Sequence, residues 1–326
     1  MILIVTNKED THPTPVIEHL TKSGVPFFRF NTECLLTDYA IEWICIDNVI
    51  DFSITNTITN TTILGSQIKS IWERRPEKPN KSNAADPTAN KICLEEANAF
   101  LVDLQYSLRN IFSIGSAVYD SVAASKLLQF TIAKELGIKL PNTFYGNSKT
   151  ENLKQVLAHK ESVAIKSISA QGIDIDEQNH SVFWTKKVAS KQILKMENST
   201  FGLTTNFLQE YIEKQFEVRV TVVKSDVFAA KIESQHLNDN SGKVDFRQGY
   251  EGLKYSAIEL PKQVHDFCIV FLQKINLNFG CFDFVIDSNN NYIFLECNPN
   301  GQWLWLELET GLQISNSIAK HLTEAK

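Results

Sequence analysis

The first thirty residues alternate between apolar runs and one amphipathic segment. Residues 2–6 (ILIVT) form a continuous apolar run, and residues 14–23 carry apolar side chains at helical spacing up to Gly24. A second apolar run follows at residues 25–30. Short continuous apolar runs favour buried strands, whereas a 3.6-residue period favours a helix that a glycine can end. The pattern therefore predicts a β-α-β start, which is typical of an α/β layer.

The remainder of the chain mixes strand-like and helix-like segments without an internal repeat. Periodicity predicts strands at residues 40–46, 50–55, 162–168, 181–185 and 206–212, and hairpins at 215–235 and 279–298. It predicts helices at residues 91–108, 120–137, 188–197, 262–274 and 314–322. Because antiparallel hairpins recur, we expect a mixed α+β fold rather than a doubly wound sheet, with a domain boundary near residues 114–120.

Composition limits the class of protein. The chain has 326 residues, 43% of them hydrophobic, and a formal net charge of −6, which suits two or three structural units. A mildly acidic chain without a basic stripe is not expected to bind nucleic acid. No apolar run reaches membrane-spanning length, and the N-terminal apolar run is too short for a signal peptide. Six cysteines without a CxxC motif predict reduced thiols, so we expect a cytoplasmic protein with no membrane partner.

Polar residues interrupt the last predicted hairpin on one face. If its turn is symmetric about residues 289 and 290, Asp283 lies directly opposite Glu296, and Asn298 shares the face of Glu296. Like charges directly across a ladder destabilise it, whereas a bound divalent cation would turn the repulsion into ligation. Two carboxylates and an amide oxygen suit Mg²⁺ whose remaining ligands are phosphates. The alternative is an ordinary surface hairpin with both carboxylates in water.

The preceding hairpin carries charges in the same way. Glu217 and Arg219 share one face of the strand FEVRVTVV, and a turn centred on Ser225 would place Lys231 opposite Arg219. Two opposed cations are unfavourable in a sheet but suited to holding phosphate oxygens. A solvated strand of alternating charge is the alternative. Accordingly, we expect Lys231 to contribute to a phosphate site.

Two lysines precede these hairpins. Lys166 lies within an apolar strand, and Lys126 lies on a predicted helix, where a lysine is most often simply solvated. The sequence contains neither a GxxxxGK[ST] loop nor a GxGxxG motif. If a nucleotide binds, lysines and strand-borne groups must therefore contact its phosphates.

From residue 123 to the C-terminus these motifs, in this order, resemble the ATP-grasp ligases. Lys126 followed by QFTIAKELGIKLPNTF is similar to the first family lysine and its continuation, and Lys166 is similar to the second. The resemblance implies that both lysines contact the phosphates of ATP and that Arg219 binds the reacting phosphate. One departure from the family pattern is the loop after Lys166, SISAQG. It has a single glycine, whereas the phosphate loop of many ATP-grasp enzymes is rich in glycine.

The same resemblance implies the remaining contacts to the nucleotide and metal. The hinge that contacts adenine would be Gln209, Glu210, Tyr211 and Ile212. Glu217 would bind the ribose. The Mg²⁺ ligands would be Asp283, Glu296 and Asn298, which match the D…E.N set of the family.

A narrower resemblance covers the whole chain. The segments MILIVTNKED, FFRFNTE, SIWERRPEKP, VDFRQG and NPNGQWLWLE are similar to the graspetide (microviridin-type) macrocyclases. In that family an Asp or Glu side chain of a ribosomal precursor peptide is activated, and a Ser, Thr or Lys side chain closes an ω-ester or ω-amide ring. Asp245 and Arg247 match the DxR element implicated in handling the precursor, although a plain salt bridge within this loop is the alternative. Arg74 and Arg75 match a WxRR element whose role stays open.

The resemblance implies a domain organisation and a set of partners. We expect an ATP-grasp fold with an N-terminal α/β pre-ATP-grasp domain at 1–118, a central subdomain at 119–212 and a C-terminal subdomain at 213–326. ATP and Mg²⁺ are the expected cofactors. A precursor peptide with leader and core segments is the expected partner, with the leader on the central subdomain, and a homodimer is the expected assembly.

The implied chemistry is activation of a carboxylate as an acyl phosphate, with Arg219, Arg247 and Asp245 as the catalytic residues. We expect the GQWLWLELET stretch to be core, with a wall for the peptide as the alternative. Two other functions stay open: a ligase that adds an amino acid to a protein tail or small carboxylate, and a non-catalytic ATP-grasp scaffold.

Overall fold

The computed structural model describes residues 1–158, 160–168, 172–174, 180–249 and 251–325. The N-terminal strands are β1 (Ile2–Thr6), β2 (Phe27–Asn31), β3 (Tyr39–Ile46), β4 (Val49–Asn56), β5 (Thr61–Leu64), β6 (Ser70–Glu73) and β7 (Ser113–Ile114). The helices between them are α1 (Pro13–Lys22), α2 (Leu35–Asp38) and α3 (Pro87–Ser107). A parallel sheet of order β2-β1-β6-β7 lies beside an antiparallel sheet of order β3-β4-β5. The predicted β-α-β start is confirmed.

Local sequence explains the ends of these helices. Helix α1 has a proline in its first turn, where the missing N–H costs no helical hydrogen bond, and it buries Val16 and Leu20 on one face. Gly24 follows it with a φ of +64°, a left-handed conformation that glycine adopts without a steric penalty. Helix α3 begins after Asp86, whose carboxylate accepts the N–H of Ala89 at 2.7 Å.

The central part is an antiparallel sheet with short helices. Its helices are α4 (Ala117–Ala123), α5 (Lys126–Glu135), α6 (Glu151–Leu157), α7 (Ser190–Lys195) and α8 (Asn198–Phe201). Its strands are β8 (Thr143–Gly146), β9 (Ser162–Lys166), β10 (Gly172–Asp174), β11 (His180–Val182), β12 (Lys186–Ala189) and β13 (Asn206–Glu210). Strands β12-β9-β13-β8 form one sheet, and β10-β11 form a separate hairpin.

Two helix predictions in this part were wrong in extent. The helix predicted at 120–137 is two helices, because Ser125 leaves the helical conformation and its hydroxyl caps α5 by accepting the N–H of Leu128. The helix predicted at 188–197 is shorter, because its first residues pair with β9 as strand β12. Pairing with a neighbouring strand overrides local helical spacing here.

The C-terminal part is built on a five-stranded sheet of mostly long strands. Its strands are β14 (Lys214–Val223), β15 (Asp226–Ile232), β16 (Tyr255–Ala257), β17 (Phe279–Asp287) and β18 (Tyr292–Asn298), in the order β16-β15-β14-β17-β18. Its helices are α9 (Asn240–Val244), α10 (Lys262–Lys274), α11 (Leu304–Thr310) and α12 (Ile314–Glu324). Helix α10 packs on the sheet through a cluster of phenylalanine rings: Phe267, Phe271, Phe282, Phe284 and Phe294.

The β17–β18 hairpin confirms the predicted pairing but not its predicted symmetry. Asp283 pairs with Glu296, whereas the pairs nearer the turn, such as Phe284 with Phe294, are centred on a single residue, Asn289. Leu295 is an extra residue that bulges out of β18 and restores the register at Glu296. The two carboxylates therefore face each other because of a bulge that the alternating pattern did not reveal.

The β14–β15 hairpin contradicts the predicted pairing of Arg219 with Lys231. Its turn holds two residues, Lys224 and Ser225, so Arg219 pairs with Ala230, and Lys231 pairs with Val218. Two-residue turns are the commonest hairpin connections, and a shift of one residue moves every side chain of a strand to the other face. Lys231 thus lies on the face opposite Arg219, where its ammonium contacts Glu233 at 2.6 Å.

No helix in the described ranges combines the length and the apolar character needed to cross a bilayer.

Candidate active site

A cleft of about 790 Å³ lies between the central sheet and the C-terminal sheet. Of the residues predicted for the site, all but two line this cleft: Lys166, Gln209, Glu210, Tyr211, Ile212, Glu217, Arg219, Asp245, Arg247, Asp283, Glu296 and Asn298. Lys126 joins them through an ion pair with Glu296. Lys231 lies on the other face of the sheet and is not part of the site, which corrects its predicted role in phosphate binding.

The centre of the site is a row of three charged side chains on adjacent strands. Arg219 on β14 pairs with Asp283 on β17, which pairs in turn with Glu296 on β18. Arg219 Nη1 donates to both carboxylate oxygens of Asp283, at 2.8 and 2.7 Å. Asn298 Nδ2 lies 3.4 Å from Asp283 Oδ2 and 3.5 Å from Glu296 Oε1. The sheet register therefore places all four groups on one face of the hairpins.

The charges of this row depend on one another. Burial raises the pKa of Asp283 against the opposing charge of Arg219, and the like charge of Glu296 adds to the rise. Burial also disfavours the charged form of Glu296, but Lys126 and Lys166 bring the pKa of this carboxyl below its usual range. Burial lowers the pKa of Lys166, which Glu296 opposes. Lys126, Lys166 and Arg219 thus offset the two carboxylates.

The donor set in the row fits a magnesium ion. No group of three or more His, Cys, Asp or Glu side chains with metal-binding geometry occurs in the described ranges. The Asn298 amide lies beside the two carboxylates and adds a third side chain with an oxygen donor. Mg²⁺ is characteristically bound through one or two carboxylates, with water and phosphate completing its shell. Asp283, Glu296 and Asn298 provide this combination of oxygen donors.

The predicted adenine hinge lies where β13 leaves the central sheet. Gln209 donates to Thr143 Oγ1 at 3.2 Å, and within the described chain its buried Oε1 accepts no hydrogen bond. Glu210 is bound by Lys160 at 2.6 Å and by Asn142 at 2.7 Å, so its carboxylate is committed to the protein. An orphaned buried acceptor beside the cleft fits a ligand that brings a hydrogen-bond donor, such as the amino group of adenine.

Glu217, the predicted ribose ligand, is buried in a polar cluster. Lys214 Nζ and Ser234 Oγ both donate to its carboxylate. Burial raises the pKa of Glu217, and Lys214 opposes this rise. Sequence reasoning missed Lys214 because residues three apart on a regular strand face opposite sides. A bulge between Lys214 and Phe216 turns the lysine towards Glu217.

The two charged residues of the DxR element pair with each other at the lining of the cleft. Arg247 donates through Nε and Nη2 to the two oxygens of Asp245, at 2.8 and 2.7 Å. The salt bridge considered as an alternative is therefore present. It uses one edge of the guanidinium and leaves Nη1 outside the pair. The guanidinium also lies 5.7 Å from the Trp184 ring centroid, so both contacts orient it.

The two tryptophans of the GQWLWLELET stretch have different environments. Trp303 is fully buried in the core, as predicted for the stretch. Trp305 lines the cleft, where its ring centroid lies 6.2 Å from Phe246 and 5.0 Å from Tyr255. The core prediction is thus confirmed for Trp303, whereas Trp305 is half-buried and lines the cleft, so a wall for the peptide stays a prediction for this ring.

The two arginines of the WxRR element have different environments. Arg74 is buried, whereas Arg75 is exposed, has a φ of +50° and lines the cleft.

The loop after Lys166 is only partly described. Ser167 lines the cleft. Residues 169–171, the part of the glycine-poor loop expected to cover phosphates, lie outside the described residues.

Comparison with known proteins matches each part of the chain to a different family model. Residues 1–120 match the MvdD pre-ATP grasp domain, and residues 123–322 match the RimK-like ATP-grasp domain. A curated relative, described as a probable alpha-L-glutamate ligase of Syntrophotalea carbinolica, is 24% identical over 224 residues, which are 67% of this chain and 69% of the relative. The α+β ATP-grasp fold is confirmed, whereas the exact domain boundaries stay predictions.

Two solved structures resemble the whole chain. A RiPP-associated ATP-grasp ligase of Chryseobacterium gregarium, in complex with ADP and a leader and core peptide, is 25% identical with a TM-score of 0.89, covering 100% of this chain and 97% of that chain. The macrocyclase MdnC of Microcystis aeruginosa, bound to precursor peptide MdnA, is 25% identical with a TM-score of 0.81, covering 99% of each chain.

The buried Lys214–Glu217 pair leads to a stability prediction. Replacing Lys214 by Met leaves a buried carboxylate without its cation, so we expect the free energy of unfolding to fall by about 3–5 kcal/mol. The loss should be larger above neutral pH than below it. Without Lys214 the pKa of Glu217 rises further in the folded state, so protonation favours folding at low pH, and this contribution is lost as the pH increases.

Urea denaturation of Lys214→Met and Lys154→Met measures this difference. Lys154 pairs with Glu151 on an exposed helix face, and its replacement should cost only about 0–1 kcal/mol. Equal losses for the two variants at every pH would contradict the assigned role of Lys214.

Proposed function

The chain belongs to the RimK-like ATP-grasp family, and on that premise we propose that it is an ATP-dependent ligase that forms ω-ester or ω-amide crosslinks within a ribosomal precursor peptide. The observation that carries the proposal is the similarity of the entire chain, including its N-terminal domain, to a ligase described with leader and core peptides. The cleft supports it, because its lining combines charged side chains suited to a nucleotide with aromatic side chains suited to a peptide.

The proposed reaction has two steps. A side-chain carboxylate of the peptide attacks the γ-phosphorus of ATP, which forms a C–O–P bond and releases ADP. The hydroxyl or amine of a second peptide side chain then attacks the acyl carbon, loses its proton and expels inorganic phosphate. The peptide loses one water per crosslink, and the enzyme supplies no covalent nucleophile.

The residues at the charged end would bind the nucleotide. We assign the phosphates to Lys126, Lys166 and Arg219, because these cations converge from a helix and two sheets on one end of the cleft. Arg219 is held at a fixed position by Asp283, so it can stabilise charge that develops on the transferring phosphoryl group without reorganising. The orphaned acceptor of Gln209 marks the adenine end, with Glu210, Tyr211 and Ile212 beside it.

The remaining polar groups complete the nucleotide site. Glu217 is assigned to the ribose, for which its carboxylate has to exchange part of its hydrogen bonding with Ser234. Asp283, Glu296 and Asn298 would hold Mg²⁺, which neutralises phosphate charge during transfer. Arg219 already offsets the charge of Asp283 and Lys126 that of Glu296, so these two carboxylates keep their positions before the ion binds.

Arg247 and Trp305 would receive the peptide. The free edge of the Arg247 guanidinium suits a carboxylate of the precursor, and Asp245 fixes its orientation. Trp305 with Phe246 and Tyr255 offers an apolar surface for the ring-forming segment. We place the reaction in the cytoplasm, where ribosomal peptides and ATP are available; the homodimer stays a prediction.

A second candidate function is supported by the distant curated relative. The relative is described as a probable alpha-L-glutamate ligase, and this chain could likewise add a free amino acid to a tail or small carboxylate. The products distinguish the two functions, because crosslinking removes water from the peptide, whereas amino-acid addition increases its mass.

Mass spectrometry of a precursor peptide encoded beside the gene tests the proposal. With the protein, ATP and Mg²⁺, we expect loss of the mass of one water per ring. Arg219→Ala should reduce the rate about 10²–10³-fold, because it removes a preorganised charge-stabilising donor. Arg109→Ala, at an exposed arginine that donates to the Tyr106 carbonyl, should have no effect. A gain of one amino-acid mass would replace the proposal by the second function.

Arg247 tests the assignment of the peptide end. Arg247→Glu reverses the charge offered to the peptide, whereas the ion-pair partner of Arg247 is Asp245 and not a residue assigned to the nucleotide phosphates. We therefore expect peptide turnover to fall by about 10²-fold while the ADP dissociation constant changes by less than about threefold. Calorimetric ADP binding and peptide kinetics measure the two effects. Equal losses of nucleotide binding and peptide turnover would refute this assignment.

A further inference from the structure

A buried arginine joins the N-terminal domain to the end of the Mg²⁺-binding hairpin. Arg74 directly follows β6 and is 1% exposed. Its Nε lies 3.2 Å from Asp10 Oδ2, and its Nη1 donates to the carbonyl of Asn300 at 2.6 Å. Its Nη2 lies 3.3 Å from both ring nitrogens of His12. One guanidinium thus contacts one segment of the N-terminal domain, residues 10–12, and one segment of the C-terminal domain.

The contacted segment is the loop of residues 299–303, called here the post-hairpin loop, which begins directly after Asn298. Its other side lies against Arg219: the carbonyl of Gln302 accepts from Arg219 Nη2 at 3.2 Å. Gly301 has no room for a side chain, since a Cβ would lie 2.8 Å from Arg219 Nη2. The loop is therefore a thin spacer between Arg74 and Arg219.

Further contacts fix both ends of the post-hairpin loop. The Asn300 side chain donates to Asp120 at 2.6 Å. The Trp303 ring meets the His12 ring edge-on, with 5.2 Å between their centroids. The backbone N–H of Trp303 donates to His12 Nε2 at 3.4 Å. Asp10 in turn contacts His12 Nδ1 at 2.7 Å. Asp10, His12 and Arg74 form one polar cluster against this loop.

Burying a guanidinium costs desolvation free energy, which only a well-placed partner charge and hydrogen bonds can offset. Burial lowers the pKa of Arg74 to about 10, and Asp10 offsets only part of that cost. Its full burial also excludes direct contact with a substrate in the cleft. A planar fork of donors, however, can fix several acceptors at once, which a single ammonium cannot do.

We infer that Arg74 is a positioning residue that acts on the nucleotide and metal end of the cleft through the post-hairpin loop. By binding the Asn300 carbonyl it fixes the chain immediately after Asn298 and the carbonyl that orients Arg219. This inference rests on the proposed function only where it names the reaction. The contacts of the post-hairpin loop with Arg74 and Arg219 do not depend on which substrate binds. It also assigns a role to the first arginine of the WxRR element.

The test compares Arg74→Ala and Arg74→Lys with Arg29→Ala. Arg29 also donates to an N-terminal carbonyl, that of Asn7 at 2.7 Å, but none of its hydrogen bonds reaches the post-hairpin loop. Calorimetry follows ADP binding as a function of Mg²⁺ concentration, and circular dichroism verifies the fold. We expect both Arg74 variants to need about 10–100-fold more Mg²⁺ for half-maximal ADP binding, as when a metal ligand loses its support. Arg29→Ala should bind as the unmodified protein does.

Turnover and chemical rescue separate positioning from general stability. Peptide turnover by Arg74→Ala should fall by about 10²-fold, and low concentrations of guanidinium ion should restore part of the Mg²⁺-dependent ADP binding. Arg74→Lys keeps a charge beside Asp10, so it tests the inference if the alanine variant does not fold. Normal Mg²⁺ dependence in a folded Arg74 variant would overturn the inference. Failure of the unmodified protein to process any peptide, with the Mg²⁺ effect intact, would refute the proposed function but not the role of Arg74.

Discussion

The structure depends on two carboxylates that face each other across adjacent strands. Asp283 and Glu296 repel one another, and a sheet does not tolerate such a pair without compensation. Arg219 compensates Asp283 from the next strand, and Lys126 compensates Glu296 from a helix that precedes the central sheet. The charges that make the hairpin stable therefore come from separate parts of the chain. Helix α5 packs in the hydrophobic core of the C-terminal sheet and so brings Lys126 to Glu296, whereas Lys166 comes from strand β9 of the central sheet.

The side chains that line the cleft differ in chemistry. Cations and carboxylates are already in place, so binding a polyanion with its metal would exchange partners within a preorganised site rather than build one. Arg247, paired with Asp245, and the Trp305 ring line the same cleft and add directional and apolar contacts. A nucleotide and a peptide can thus occupy one cleft with their reacting groups adjacent. The N-terminal domain contacts the loop that follows the metal-binding hairpin through the buried side chain of Arg74.

The sequence predicted the fold class and most elements, and most of the side chains it predicted for the site line the cleft, because residue type and period-two alternation largely determine which side chains share a face. The exceptions are irregularities of one residue. The turn before β18 differs from the predicted one, but a bulge at Leu295 still pairs Asp283 with Glu296 as predicted. The turn before β15 has two residues, so Lys231 lies on the face of the sheet opposite the predicted one. Lys214 reaches Glu217 only through another bulge. Such shifts reverse the direction of a side chain but leave no mark on hydrophobic periodicity.

Arg74 illustrates a second limit. In sequence it lies between Glu73, the last residue of β6, and the exposed Arg75, and the inferred role rests on its contact with Asn300, more than two hundred residues away along the chain. A residue-type pattern can indicate that an arginine is unusual, but it cannot show which distant carbonyl the side chain meets. Long-range contacts of this kind need the tertiary structure.

Trapping with hydroxylamine is the most direct measurement of the claim that this site activates a peptide carboxylate as an acyl phosphate. The protein would be incubated with the precursor peptide, ATP, Mg²⁺ and hydroxylamine, and both the peptide and the nucleotide products would be identified. The account predicts a hydroxamate on an Asp or Glu side chain of the peptide, formed together with ADP. Formation of AMP and pyrophosphate, or crosslinked peptide without any trapped hydroxamate, would contradict it.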